Sequence, residues 1–100
     1  LGNMETQQKI SPYEMEQIVS YVNTTVEDAI GKAGWDTVKH MIAYRYHINP
    51  ETSDILEKRD VFRAAIRTTL GTSVLAIVDR VLSESLGRRS ITHGYMAYPM

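Results

Sequence analysis

The sequence predicts an all-α fold: a four-helix orthogonal or bundle-like single domain with a long N-terminal helix and an irregular C-terminal tail. Apolar residues recur at three- and four-residue spacing along most of the chain, and no stretch alternates with the period of two that a half-buried strand shows. Gly34, Gly71 and Gly87 each stand where such a run stops, and glycine tolerates the left-handed dihedrals that end a helix. A chain of 100 residues has room for one domain. That domain is expected over residues 10–87, after a disordered N-terminus at 1–9 whose Leu1-Gly2-Asn3 reads as a tag remnant, and before the irregular tail at 88–100. No internal repeat or low-complexity tract is evident.

The first helix has the clearest start. Ser11 is a capping residue, Pro12 fits the first helical position, Glu14 completes a capping box, and Ile10 and Met15 stand where a hydrophobic staple packs. Met15, Val19, Val22, Val26, Ala29 and Ala33 then form one stripe, with Ile18 and Ile30 on its flanks. This predicts a helix over 12–33, with Gly31 as an interior glycine costing about 1 kcal/mol relative to alanine. After Gly34, a second helix carries Trp35, Val38, Met41, Ile42 and Tyr46 and stops before Asn49-Pro50. Residues 50–58 read as a turn containing one helical turn. A third helix over 59–70 buries Val61, Phe62, Ala65, Ile66 and Leu70, and Gly71 ends it. A fourth helix, capped by Thr72 or Ser73, has apolar residues from Val74 to Leu86 over about half its circumference, which marks it as central to the core.

The predicted lengths do not match. A helix over 12–33 is about 33 Å long and the fourth about 21 Å, so part of the first overhangs. Its overhanging aliphatics would be exposed in one chain, and Met15, Ile18, Val19, Val22 and Val26 are therefore the expected interface of a homodimer.

Composition excludes more than it proposes. The formal charge is −1, with 43% apolar and 23% charged residues, so bulk charge favours neither nucleic acid nor a membrane surface. The longest unbroken apolar run, 74–78, falls far short of the ~20 residues a membrane span needs. Cysteine is absent, which removes disulfides and thiolate metal sites and suits a cytoplasmic protein. His40, His47 and His93 are too dispersed for a metal set, although His40 can pair with Asp36 one turn earlier. With neither a nucleophile elbow, a phosphate-cradling glycine loop nor a zinc-protease motif, the chain is not expected to be an enzyme or to hold a cofactor or metal.

Two features remain as candidate sites. Arg59, Arg63 and Arg67 form a basic edge on the third helix, and like charges four apart repel unless an anion, a phosphate backbone or neighbouring carboxylates offset them. A helix-turn-helix reading of the short link at 71–73 would make the fourth helix the DNA reader, but that helix is mostly aliphatic, so the basic third helix is the better candidate. In the tail, Tyr95, Met96 and Tyr98 have an adhesive composition suited to docking on the domain itself or on a neighbouring subunit.

Val26, Ala29, Ile30, Gly34, Val38, Ile42, Tyr46, Ile48, Asp54, Ile55, Phe62, Ile66, Leu70, Gly71 and Ile77 have a familiar spacing. Over roughly residues 26–86 the chain resembles a small helical output domain of archaeal regulators, the Nitrosopumilus output-domain type. The resemblance implies a regulatory or interaction module without established chemistry, and it carries over no functional residues. The expected function is a non-enzymatic regulatory protein–protein interaction module that self-associates through its first helix. The alternative is a DNA-binding transcriptional regulator that uses the third.

Overall fold

A computed structural model describes the backbone of residues 10–97 and the side chains of residues 10–87. All regular structure in it is helical: α1 (Pro12–Ile30), α2 (Lys32–Tyr46), α3 (Asp54–Glu57), α4 (Arg59–Leu70) and α5 (Thr72–Ala97). The start of α1 follows from its cap. Ser11 Oγ accepts from the Glu14 N–H at 3.1 Å while Glu14 Oε1 accepts from the Ser11 N–H at 3.2 Å, and Pro12 needs no partner for a missing donor.

The break after α1 is made by Gly31, not by Gly34. Gly31 has φ 93° and ψ 154°, and Gly71 has φ 92° and ψ 174°. Both lie in a region that only glycine enters without strain. Each closes one helix and opens the next by itself. The Gly31 N–H donates to the Glu27 carbonyl at 2.7 Å while its own carbonyl accepts from the Trp35 N–H at 3.0 Å; Gly71 does the same with Arg67 at 3.1 Å and Leu75 at 3.2 Å. Gly34 and Gly87 keep negative φ and lie inside α2 and α5. A glycine permits a helix stop without imposing one, so the backbone of α5 continues past Gly87 to Ala97, where an irregular tail was expected.

These boundaries reverse the length argument. At 19 residues α1 is about 28 Å long, and at 26 residues α5 is about 39 Å. The expected overhang of α1 does not exist. Val22 and Val26 are fully buried, Ile18 and Val19 nearly so, and Met15 is half-buried, all within a single chain. The stripe read as a homodimer seam thus joins Trp35, Ile42, Phe62, Ile66, Val78 and Leu82 in one core. Each such aliphatic contributes about 1.5–3 kcal/mol on burial, so exposing the stripe to pair with a second copy would dismantle the domain.

α1 packs against α2 and α5, α4 packs against the same two helices, and α3 touches both α1 and α4. Among the described residues α1 and α4 make no close backbone approach to each other, nor do α2 and α5. Residue identities show no repeat, yet the backbone makes the same corner twice, forty positions apart. Buried positions stay in step around it: Val22 with Phe62, Val26 with Ile66, Trp35 with Leu75, Val38 with Val78 and Ile42 with Leu82. Between the corners, His47 ends α2 with a left-handed φ of 59°, and buried Ile48 and Pro50 fasten the link to the core. Asp54 Oδ2 accepts the Asn49 N–H at 2.9 Å, which sets up the single turn of α3.

Candidate interaction groove

Asn23 is the one polar side chain on the inner side of α1 that ties three segments together. Its Nδ2 donates to the Val19 carbonyl at 2.8 Å and to the Pro50 carbonyl at 2.9 Å, and its Oδ1 accepts from Trp35 Nε1 at 2.9 Å. An indole buried to 1% exposure needs such an acceptor, and Asn23 supplies it. Sequence reading passed over Asn23 because an asparagine on a helix flank carries no pattern of its own; the signal was a core tryptophan whose N–H required a partner.

Lys39 closes the next layer. Its Nζ lies 2.6 Å from Glu51 Oε2 and 3.3 Å from Asp36 Oδ1, and 6.0 Å from the centre of the Trp35 ring. The hydrogen bond to Glu51, opposed by partial desolvation and reinforced by Asp36, holds the Lys39 ammonium above its ordinary pKa.

Above this floor runs an open groove of about 770 Å³ between α1, α2 and the link, with Met15, Val19 and Trp35 among its lining residues. Glu16 and Glu27 also line it from α1, eleven residues and therefore about 16 Å apart, on one side of the helix. Among the described residues neither carboxylate has an ion-pair partner, whereas Lys39 is engaged by Glu51 and Lys32 stands 3.9 Å from Asp36. The whole of α1 carries Glu14, Glu16, Glu27 and Asp28 and no lysine or arginine. Val19 and Trp35 are buried in the core, so the apolar surface open to the groove comes from Pro12 and Met15, and the lining carries three carboxylates against two lysines.

The basic edge on α4 is resolved differently. Arg63 makes a bidentate bond across to α5, Nε to Asp79 Oδ1 at 2.7 Å and Nη2 to Asp79 Oδ2 at 2.9 Å. Those hydrogen bonds are the main cause that raises the Arg63 pKa and holds the Asp79 carboxyl below the usual carboxylate range. A neighbouring carboxylate thus offsets the repulsion within the arginine row. Arg59 and Arg67 remain exposed; Arg59 lines an open pocket with Arg63, Asp60 and Asp79, and Arg67 is not among the residues that line it. Gly71 is the entire link at the helix-turn-helix position, and α5 buries Leu75, Val78, Val81 and Leu82 in the core.

His40 Nδ1 lies 2.8 Å from the backbone carbonyl of Asp36, not its carboxylate, so the expected pair is a helix back-bond. Among the described residues no group of three or more metal-ligating side chains assembles, and no helix is long and apolar enough to cross a membrane. Tyr98 lies outside the described residues, as do the side chains of Tyr95, Met96 and His93. The chain matches no protein-family model, no curated protein and no solved structure.

Proposed function

We propose that the chain is a non-enzymatic protein-interaction module that receives a partner segment in the groove between α1 and α2. The observation that carries this reading is an open groove in which the apolar side chains of Pro12 and Met15 lie beside Glu16 and Glu27, two carboxylates without an ion-pair partner among the described residues. The other charged clusters serve the fold itself: within the groove lining Lys39 fastens the link to α2, and outside it Arg63 fastens α4 to α5. A regulatory role accords with the output-domain resemblance. Docking in the groove takes the place of self-association through the aliphatic stripe of α1, whose side chains lie in the chain's own core.

The competing reading is DNA binding through Arg59 and Arg67, and one experiment separates the two. Ser20 and Thr24 are exposed and line the groove, so Ser20→Arg with Thr24→Arg crowds it and reverses its charge without touching the core. Capture of a protein partner from the native cell should be lost in this double variant, persist in Arg59→Ala with Arg67→Ala, and withstand nuclease. Nuclease-sensitive capture that falls with the arginine variant and steepens with lowered salt would replace the interaction reading by the DNA one.

A further inference from the structure

We propose that the Gly31 corner is a hinge, and that opening it lets two copies of the chain exchange their first helices, giving a dimer in which α1 and α2 of each copy form one straight helix over residues 12–46. The backbone bonds beside the corner are already helical: the Gly31 N–H donates to the Glu27 carbonyl at 2.7 Å and the Trp35 N–H to the Gly31 carbonyl at 3.0 Å. A straight helix adds the rungs between them, from the amides of residues 32–34 to the carbonyls of residues 28–30. The turn itself is confined to Gly31, with φ 93° and ψ 154°, and residues 28, 29, 31, 32 and 33 are exposed, so the change takes place at the surface. Once the corner is straight, α1 points away from its own α2 and finds the same contacts only on a second copy, the condition under which a one-residue hinge leads to exchange.

Charge placement selects Gly31 over Gly71. α1 ends on a turn that holds Glu27 and Asp28 and no basic residue, and α2 begins on Lys32 with no acidic residue in its first turn and no side-chain cap. Each of these charges opposes the dipole of its own helix end. In one continuous helix both ends disappear, and Asp28 and Lys32 become a pair four apart in the favourable order, acid first. At Gly71 the charges suit two separate helices: Arg67 stands in the last turn of α4, and Arg63 bonds across to Asp79. The exchange does not expose the stripe of α1. Val22 and Val26 pass from their own core into the same place in the other copy, and Asn23 meets the indole of the other copy's Trp35. Ala29 and Ala33, exposed in the single chain, lie where the two straight helices run past each other, and their small side chains allow a close approach. Each groove is then built from α1 of one copy and α2 of the other, so the dimer presents two.

The test refolds the full chain over a range of concentrations and reads its mass by light scattering. A dimer refolded from mixed isotope-labelled and unlabelled chains then shows which chain supplies α1, because Asn23 Oδ1 accepts from Trp35 Nε1 at 2.9 Å and isotope-filtered NOEs tell a contact within a chain from one between chains. The wild type should be monomeric when dilute and dimeric as it approaches millimolar concentration, with Asn23 and Trp35 of each contact on different chains. Gly31→Ala disfavours the corner and favours the straight helix, so it should dimerise about tenfold or more tightly. Lys32→Asp suits the start of a separate α2 and repels Asp28 in the straight helix, so it should dimerise about fivefold more weakly. Gly71→Ala strains its corner equally and should dimerise as the wild type does. A wild type that stays monomeric up to millimolar concentration would overturn the proposal, whether or not Gly31→Ala folds. So would a dimer that keeps Asn23 and Trp35 on one chain, since that is a pair of intact copies joined through surface groups such as the exposed Arg45, Lys58 or Arg80. Dimerisation of Gly71→Ala as strong as that of Gly31→Ala would overturn the assignment of the hinge to Gly31.

Discussion

The chain turns the same corner at Gly31 and at Gly71 and finishes it in two ways. Asn23 and Lys39 stand eight residues before and after Gly31, as Arg63 and Asp79 stand around Gly71. At the second corner the two side chains bond each other and clamp α4 to α5. At the first corner they turn away, Asn23 to Trp35 and Pro50 and Lys39 to Glu51, and the space they leave is the groove. Backbone geometry set by one glycine is thus compatible with a closed, self-satisfied corner or with an open one that carries spare charge. Which results depends on where the neighbouring polar side chains find their partners.

The largest expected effects test whether the first corner depends on its buried indole. Trp35→Ala should cost about 3–5 kcal/mol of stability in chemical denaturation, at the upper end of what Leu75→Ala costs at the matching place. Next comes the glycine conformation. No atom lies within 4 Å of a Cβ placed on Gly31 or Gly71, so Gly31→Ala and Gly71→Ala isolate backbone strain, about 1–3 kcal/mol each. Asn23→Ala should cost a comparable 1–3 kcal/mol, roughly, by leaving the Trp35 N–H and the Pro50 carbonyl unpaired. Arg63→Ala should cost clearly less, because Asp79 is then returned to water. A larger loss from Arg63→Ala than from Asn23→Ala would reverse the contrast between the corners.

Smaller effects sharpen it. Gly34→Ala and Gly87→Ala should stabilise by about 0.5–1 kcal/mol, since both glycines are helical and an added Cβ meets Ile30 at 3.8 Å in the first case and open space in the second. The smallest effect is on pH dependence. The Lys39 pKa is raised in the fold, so its contribution is complete below the ordinary ammonium range and is lost as pH rises through the folded value. Because Glu51 is largely exposed and solvent screens the pair, that loss should be within about 0.2–1 kcal/mol and absent in Lys39→Met. The Asp79 pKa is lowered, so its contribution is present above the ordinary carboxylate range and is lost as pH falls through the folded value. Denaturation midpoints of wild type and Asp79→Asn, followed across acid pH, should converge.

Much of the fold was legible because local chemistry determined it. The capping box at Ser11, most of the apolar stripes of α1, α4 and α5, the stop at Gly71 and the single turn within 50–58 all depend on neighbours in sequence, whereas Ala29, Ala33 and Val61, expected on the buried stripes, are exposed. Less legible was which glycine breaks a helix. Gly31 and Gly34 are three residues apart, and only the seating of Trp35 in the core distinguishes a break at one from a break at the other. Moving that break shortened α1, and reading Gly87 as a stop truncated α5; together the two shifts created the overhang from which a dimer seam was deduced. The groove was illegible for a different reason. Glu16 and Glu27 look like ordinary solvated residues until Lys39 is seen paired with Glu51, twelve positions away, leaving them without an ion-pair partner among the described residues.

Hydrogen exchange of the full chain, free and with a protein partner captured from the native cell, tests the central contrast most directly. Protection should rise along α1 and at residues 51–53, while amides flanking Gly71 and along α4 exchange as in the free protein. Protection gained around Arg59 and Arg67 with α1 unchanged would contradict the account.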